Sequence, residues 1–427
     1  MAADRIAPDD ALDAMKPFVR TSVLLERIWP PSAAPAAATS QIGGSPNLPP
    51  DWEWPRIDFA DSTSDPDILP FTASLDFLAQ IRLSDLPAVE QRELLPGDGM
   101  LYFFALSQSH VPLYELGPEA ARVLYYPGDA SVFPQRPPPP DAGWNLGQFD
   151  YGRSLAADYR DPDESPGILI PRCPIRLVAA KSWSNPRLSG MEPIWRTAWN
   201  QWQGSAPPLA HFKHDDKSLP SHVEDAILQL NYARNRWHEG VATYEDFAGY
   251  YEHATPMETL EELRPAYDDW RRRAKAMSAN LRSMGRAAAL VDTQRSDVRA
   301  LLEEGSRMHE AATGYTLWLD QEEAAILSLA TLLPDHPEAV ADRAAEIAAA
   351  HPGHVAARGN EGHRMLGNGY AVQQDIPKGS VLLLQLGSDR YGPRFMWGDA
   401  GNISFWIGEE DLAHRRFDRS QAEIYGH

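Results

Sequence analysis

Residues 77–85 read FLAQIRLSD, and residues 382–389 read LLLQLGSD. Both stretches are apolar runs that carry one glutamine near the middle, Gln80 in the first and Gln385 in the second, and both end in SerAsp. Apolar runs of this length that are bounded by Gly, Pro, Asp or Ser are typical of β-strands. The two stretches therefore predict two strands that occupy corresponding places in the fold.

The sequence around each glutamine strand is repeated as well. A glycine turn precedes the strand, as IGGSP at 42–46 and LGNGY at 366–370, and a GlyAsp turn with another strand follows it, as GDGMLYFF at 97–104 and GDAGNISFWI at 398–407. Chance would explain any one of these matches, because apolar strands with GlyAsp turns resemble one another. Three matches in the same order predict an internal duplication, with two halves that pack about a pseudo-twofold axis.

The region between the two copies has a different pattern. Apolar residues recur there at helical spacing, for example at Val223, Ile227 and Leu230, which predicts amphipathic helices. We expect an α+β fold with a mainly antiparallel β core that is built from two pseudo-repeated halves and interrupted by a long helical insertion. The predicted ranges are 1–185 for the first β half with an N-terminal helix, 186–352 for the helical insertion, and 353–427 for the second β half, which completes the same β core.

The charge balance restricts the class of partner. The 427-residue chain has 39 Lys and Arg against 60 Asp and Glu, a formal net charge of −21. Such a chain lacks the basic surface that displaces counterions from nucleic acid or meets anionic lipid headgroups, so we expect neither nucleic acid nor a membrane as a partner. The negative charge is spread along the chain, which favours solubility or a basic protein partner.

Cysteine usage and hydropathy indicate the compartment. The single cysteine, Cys173, excludes an intramolecular disulfide and a site of several thiolates, which favours a reducing environment. Residues 1–30 contain no central apolar run of signal-peptide length, and no stretch of 18 or more apolar residues occurs. We expect a cytoplasmic protein, in which Cys173 is a buried, inert thiol rather than a nucleophile.

Several motifs, taken together, resemble a known family. They are GGSPNLP followed by WEWP within 43–55, FLAQI at 77–81, LPGDGMLYFF at 95–104, HRMLGNGYAVQ at 363–373, LLLQL at 382–386 and MWGDAG at 396–401. The chain resembles the YwqG-like family, a bacterial domain of unknown function (DUF1963). The resemblance implies a compact α+β fold without an established catalytic activity. Because members often occur near bacterial toxin and immunity genes, it also implies a protein-binding or immunity-type role.

Five residues are candidates for a ligand site. Burying a glutamine amide costs about 1–3 kcal/mol without a hydrogen bond, so Gln80 and Gln385 either bond neighbouring backbone or each other, or line a shared cleft. His363 lies in a family motif and either bonds a turn or contributes to a site. Asp399 either supports a tight turn or acts in catalysis, and Trp397 belongs to a motif that we expect in a loop, where aromatic side chains suit a binding surface.

Recognisable metal and catalytic motifs do not occur in the sequence. The histidine groups around His211, His214 and His222, and around His351, His354 and His363, lack the spacing and the thiolates of common zinc sites. The chain has no GxSxG elbow, Walker loop or helix-opening GxGxxG. We therefore expect no metal and no cofactor, and an interaction protein rather than an enzyme.

The functional hypothesis is a cytoplasmic bacterial protein-binding module, with an immunity-type role as its specific form, whose partner is a basic or polar protein such as a toxin. The alternative is a small-molecule sensor or enzyme with a polar cleft at the seam between the repeats.

Overall fold

A computed structural model describes most of the chain. The described residues are 8–28, 40–59, 71–106, 113–139, 152–154, 170, 172–183, 219–247, 257–313, short segments between 324 and 343, 362–370, 377–389, 393, 395–397 and 401–426. The statements below concern these residues.

The structure bounds six α-helices and fourteen strands in this part of the chain. The helices are α1 (Pro8–Met15), α2 (Leu113–Leu116), α3 (Val223–Phe247), α4 (Met257–Arg282), α5 (Asp292–Thr313) and α6 (Glu409–Ala413). The strands are β1 (Val19–Arg27), β2 (Gln41–Ile42), β3 (Arg56–Phe59), β4 (Phe71–Ser74), β5 (Asp76–Arg82), β6 (Met100–Ala105), β7 (Ala121–Tyr126), β8 (Gly152–Ser154), β9 (Cys173–Trp183), β10 (Arg364–Met365), β11 (Ser380–Gly387), β12 (Phe395–Trp397), β13 (Asn402–Gly408) and β14 (Gln421–Tyr425).

Ten strands form one antiparallel sheet in the order β14-β13-β11-β10-β1-β9-β2-β5-β6-β7. Reading outward from the central pair β1 and β9, one side runs β10, β11, β13, β14 and the other runs β2, β5, β6, β7. We call β9 with β2, β5, β6 and β7 the first half, and β1 with β10, β11, β13 and β14 the second half. The sheet thus has two pseudo-repeated halves, as the sequence predicts, but β1 belongs to the second half although the predicted range 1–185 placed it in the first.

The pseudo-twofold axis crosses the central strand pair. The Leu25 amide donates to the His363 carbonyl at 3.0 Å, and the Ile175 amide donates to the Ser40 carbonyl at 3.2 Å, so Leu25 and Ile175 are equivalent. The next residues, Glu26 and Arg176, are therefore also equivalent, and they are directly paired across β1 and β9. Their side chains form an ion pair at 2.8 Å, which marks the axis.

The irregularities of the two halves coincide. A bulge interrupts the β5–β6 ladder between Phe77 and Ala79, and another interrupts the β11–β13 ladder between Leu382 and Leu384. With Gln80 equivalent to Gln385, these bulges fall at the same position. Because a bulge inserts one unpaired residue at a defined place in a ladder, its repetition confirms the duplication residue by residue.

One glycine in each half allows the same close approach. Gly99 and Gly401 precede the equivalent strands β6 and β13, and a Cβ on either would collide with the edge strand. It would lie 2.5 Å from the carbonyl oxygen of Tyr126 at Gly99 and 1.5 Å from that of Tyr425 at Gly401. Only a residue without a side chain fits between these strands.

The core lies between the two halves. Phe103 of β6 and Phe405 of β13 are fully buried and equivalent, and their rings contact each other with centroids 5.2 Å apart. The two edge strands β7 and β14 also contact each other. The ten-stranded sheet therefore curls until its edges meet, and both halves share one hydrophobic core.

The predicted helical region contains three packed helices. Helices α3, α4 and α5 contact one another pairwise around fully buried Trp270, whose indole N–H donates to the Leu301 carbonyl at 2.8 Å. The apolar pattern predicts one helix through Ala288, but α4 ends at Arg282, and Gly285 adopts φ 91° in the turn that follows. None of the helices in the described part of the chain combines the length and apolar character that a bilayer crossing requires.

Apolar runs bounded by turn residues also predict strands at Arg122–Tyr126 and Ile175–Ala179, within β7 and β9. The sequence patterns do not predict the remaining four strands of the sheet, β1, β2, β10 and β14. The repeat alignment also needs a shift of one residue. The sequence pairs Ile42 with Leu366, whereas the strand registers make Leu366 equivalent to Gly43. The reason is conformational: Gly43 and Leu366 both adopt positive φ, 62° and 58°. Leucine rarely occupies that region, so the glycine pattern alone misplaced the second copy.

Candidate functional site

Each predicted glutamine lies buried beneath the glycine turn of its own half. The Gln80 Oε1 accepts the amide of Asn47 at 2.9 Å, and its Nε2 donates to the Asn47 side chain at 3.1 Å. In the second half, the Gln385 Oε1 accepts the amide of Tyr370 at 2.7 Å, and its Nε2 donates to the Gly362 carbonyl at 2.9 Å. Because Asn47 and Tyr370 are equivalent, each glutamine accepts a hydrogen bond from the same backbone position of its own half.

These contacts favour the structural role of the glutamines over the cleft role. Both side chains are fully buried, and their amides hold the segment after each glycine turn against the sheet. A buried amide that makes such bonds avoids the cost of an unpaired polar group. The bonds tie Gln80 and Gln385 to different loops, in keeping with the expected alternative in which each amide bonds neighbouring backbone.

His363 belongs to a buried charged cluster with Asp389 and Arg27. The His363 Nε2 lies 2.9 Å from Asp389 Oδ2, and the Arg27 Nη1 lies 2.9 Å from the same oxygen and 3.1 Å from Oδ1. The three side chains are at most 10% exposed. Arg27 comes from β1, His363 immediately precedes β10, and Asp389 follows β11, so the cluster ties three strands of the second half together.

The hydrogen bonds of His363 limit its chemistry. Its Nδ1 accepts the backbone amide of Gly387 at 3.1 Å, which leaves the proton on Nε2, where it is donated to Asp389. Both ring nitrogens are therefore engaged, whereas a general base needs a free nitrogen within reach of the proton that it removes. The arrangement stabilises the strand ends and does not expose a base.

Cys173 lies near this cluster but is not activated by it. Burial raises the pKa of the Cys173 thiol to about 12, while Arg27 lowers it and Asp389 raises it by smaller amounts. Because the thiolate is the nucleophilic form, Cys173 stays protonated and unreactive at neutral pH. The raised pKa is in the direction that an inert thiol requires, although Cys173 is only partly buried, whereas we expected it to be buried.

The first half replaces the histidine by serine. Ser40 is equivalent to His363, and its Oγ accepts the amide of Arg82 at 3.0 Å, as His363 accepts that of Gly387. The Ser40 hydroxyl also donates to Asp85 at 3.4 Å. Both halves therefore share the hydrogen bond to the strand end, and the second half adds the buried charged cluster around its histidine.

The two remaining candidates do not form a site with these residues. Trp397 lies in β12, is fully buried and packs against Phe395 with ring centroids 4.9 Å apart, so it is a core residue rather than the loop platform that we expected. Asp399 lies outside the described residues, as do His211, His214, His351 and His354. Within the described ranges, no three His, Cys, Asp or Glu side chains are grouped to hold a metal ion.

An open pocket of about 230 Å³ lies at one end of the first half. It is formed where β5 ends at Arg82, where β6 begins at Met100, and where the chain leaves β7 at Pro127. Two carboxylates, Asp98 and Asp129, line it. The pocket brings together charged groups from the end of β5, from the β5–β6 connection and from the segment after β7.

Comparison with known proteins identifies the family. A family model described as a domain of unknown function, DUF1963, matches residues 40–424. The chain belongs to the DUF1963 family. No curated protein matches the chain. The DUF1963 match includes the helical region and every strand of the large sheet except β1, although β1 supplies Arg27 and completes the second half.

The DUF1963 pocket and the partners of His363 were missed by sequence analysis. Arg27, His363 and Asp389 lie far apart along the chain, and no local motif links them. The sequence analysis assigns Asp98 only to a turn, and it gives no role to Asp129, which follows β7. The turns after β5 and after β7 could have indicated the pocket, because consecutive antiparallel strands place alternate turns at the same edge of a sheet.

Proposed function

We propose that this DUF1963 chain is a protein-binding module that recognises a basic or polar protein partner through the loops around the open pocket. The observation that carries the proposal is an exposed valine, Val132, on the same chain segment as the pocket carboxylate Asp129. Val132 is 71% exposed and lies three residues after Asp129, on the segment that leaves β7. An exposed aliphatic side chain beside carboxylates offers a partner both apolar contact and charge recognition.

The charge of the whole chain supports the same kind of partner. A net charge of −21 attracts basic proteins over a distance and raises the rate at which they meet the surface. An immunity-type role, with a toxin as the basic partner in a bacterial cytoplasm, is the specific form of this proposal. The resemblance to families found near toxin and immunity genes favours it.

The alternative, a small-molecule sensor or enzyme at the repeat seam, has less support from the geometry. Its proposed residues Gln80, Gln385 and His363 make hydrogen bonds inside their own halves. Their polar atoms hold loops and strand ends. A ligand at the seam would have to displace these bonds before it could use the same groups.

The experiment is affinity capture of source-cell proteins on the immobilised full-length chain, followed by mass spectrometry. We compare the wild type with Val132→Asp and with the double variant Asp98→Lys/Asp129→Lys. The matched control is Val291→Asp, since Val291 is also an exposed valine, at 59%, but lies beside α5. All variants are checked for the wild-type thermal melt.

The expected result is a basic protein that the wild type and Val291→Asp retain and that the two pocket variants lose. Toxin neutralisation by the wild type, and not by Val132→Asp, would support the immunity form. Retention of no protein, or equal retention by all four chains, would contradict the proposal.

A further inference from the structure

We propose that the end strand β14 is a proton-sensitive switch in the closure of the sheet, with Glu423 as the group whose ionisation loosens it. With Glu423 protonated, β14 stays paired with β13 and the edges of the sheet remain in contact. With Glu423 ionised, β14 detaches more often. The proposal does not rest on the protein-binding function, because it concerns how the fold itself responds to pH.

Strand β14 is held less firmly than the strands inside the sheet. It is the end strand of the ten-stranded order, and its hydrogen-bonded neighbour in the described sheet is β13, through residue pairs between 402–406 and 421–425. It also packs against β7, α2 and the 3-10 turn Pro118–Ala120. An end strand with one hydrogen-bonded neighbour can open locally while the rest of the sheet stays folded.

Detachment of β14 would uncover the shared core. Ala422 belongs to the core cluster, and Ile424 packs against it. Ala422 is directly paired with Phe405, whose ring contacts Phe103 of the first half. The same movement would free the edge of β13. The state of β14 therefore decides whether the two halves present a closed sheet or an open edge.

Glu423 places a carboxyl where the first half has an aliphatic side chain. The strand registers align two rows across the halves, namely Gln80, Tyr102 and Leu124 in the first and Gln385, Ser404 and Glu423 in the second. Leu124 packs against apolar neighbours, whereas the Glu423 side chain is partly buried. Because the fold accepts leucine at this position, the strand itself does not require an ionisable group there.

The described neighbours do not compensate a charge on Glu423. The Ser404 hydroxyl, directly across from it, donates to Asn402 at 2.7 Å, and residues 402–406 of β13 include no charged side chain. Among the elements packed against β14, Arg122 of β7 pairs with Glu119 of the 3-10 turn at 3.3 Å, and α2 carries only a further acid, Glu115. An ionised Glu423 therefore lacks a cation among the described side chains.

The pKa values agree with this geometry. Burial raises the pKa of Glu423 from 4.5 to about 7, so the carboxyl ionises near neutral pH. Burial also raises the pKa of Tyr425 on the same face to about 12, with a smaller increase from the Glu423 charge, so Tyr425 stays neutral. Between pH 6 and 8 the paired strand releases a proton that a detached strand has already lost. Linkage then predicts that detachment becomes about tenfold more frequent.

The test is hydrogen–deuterium exchange of the full-length chain, read by mass spectrometry on peptides that contain β14 and peptides that contain β1. Exchange is measured at pH 6 and pH 8 and is corrected for the intrinsic effect of pH on amide exchange. The variants are Glu423→Leu, which introduces the residue of the first half, and Glu423→Gln, which keeps the shape of the side chain. Glu409→Gln, at an exposed carboxyl, is the matched control.

We expect β14 to be less protected than β1 and to lose about tenfold in protection from pH 6 to pH 8 in the wild type and in Glu409→Gln. Both Glu423 variants should lose this dependence on pH. Exchange of β14 together with β1 would overturn the inference, because β14 would then open only when the whole protein unfolds. Equal protection of β14 at the two pH values, or the same tenfold loss in the Glu423 variants, would also overturn it. If one Glu423 variant fails to fold, the other variant and the wild type still decide.

Discussion

The ring of Phe103 contacts the ring of Phe405 at an interplanar angle of 73°, with centroids 5.2 Å apart, and the two residues occupy equivalent positions in the two halves. Through this contact the two halves of the sheet form one hydrophobic core. Each half presents the same aromatic side chain to the other, so neither interior face is covered without its counterpart.

The Phe103–Phe405 pair should be energetically coupled. We expect Phe103→Ala and Phe405→Ala each to lower the free energy of unfolding by about 3–5 kcal/mol, because a large buried ring is removed. The double variant should lose less than the sum by about 0.5–1.5 kcal/mol, since the second substitution finds the aromatic contact already absent. Urea unfolding of the four proteins measures this coupling, and strict additivity would place the rings apart.

The glutamine pair should behave in the opposite way. Gln80→Leu leaves the Asn47 amide without its acceptor, and Gln385→Leu does the same to the Tyr370 amide, so each should cost about 1–3 kcal/mol. Because the bonds lie in separate loops, we expect the two losses to add within about 0.5 kcal/mol. The same urea measurements apply. A coupling as large as that of the phenylalanines would show that the amides share one network.

The glutamines illustrate what the sequence could predict. Their strands, their equivalence and the glycine turn before each were all readable from local patterns and from their repetition. The hydrogen bonds that give each amide its role were not, because they depend on how a loop folds back over the sheet. Leu366 shows the same limit, since its positive φ is imposed by the fold and not by the residue.

Strand β1 and the charged cluster are further features that the sequence could not predict. The run VRTSVLLER at 19–27 alternates only partly between apolar and polar residues, so it gave a weak strand signal. Its role as the central strand follows from pairing with β9 and β10, which lie far along the chain. Arg27 and Asp389 meet only as a result of that pairing, and no spacing in the sequence could indicate their contact.

The buried Arg27–Asp389 pair should contribute far more to the free energy of unfolding than the Glu26–Arg176 ion pair on the pseudo-twofold axis. Asp389→Asn removes the carboxylate charge that faces the buried guanidinium of Arg27, which should cost about 3–5 kcal/mol. Glu26→Gln breaks the pair with Arg176, whose side chain is 66% exposed, and should cost about 1 kcal/mol or less. Thermal or urea unfolding compares the two, and equal losses would contradict the structural role of the cluster.

Stability should fall as the pH rises toward neutrality because of Glu423. Burial raises the pKa of Glu423 from 4.5 to about 7, so between these values the folded state holds a proton that the unfolded state has released. Stability then decreases with pH across this interval and levels off above it. Urea midpoints from about pH 4.5 to 8 should show this slope in the wild type and a smaller slope in Glu423→Gln.

The matched control for this measurement is Glu409→Gln, which removes an exposed carboxylate from α6. It should keep the wild-type slope. If Glu423→Gln also keeps it, the buried carboxyl is not the group that titrates.

Residues 1–185 expressed alone should aggregate. This fragment lacks the β10 partner of β1 and the Phe405 that covers Phe103, so it exposes unpaired strand edge and apolar core, both of which promote association. Light scattering and the soluble fraction after expression test the expectation. A soluble fragment that melts cooperatively would show that the first β range folds independently.

The place of β1 in the chain has a consequence for how the protein is made. A ribosome synthesises β1 well before β9, and its other neighbour β10 emerges only after the helices α3, α4 and α5. The β10 side of the central strand therefore stays unpaired while most of the polypeptide is translated. Pairings between such distant segments slow folding. The growing chain therefore exposes an unpaired strand edge for a long interval, and chaperones can bind it during that time.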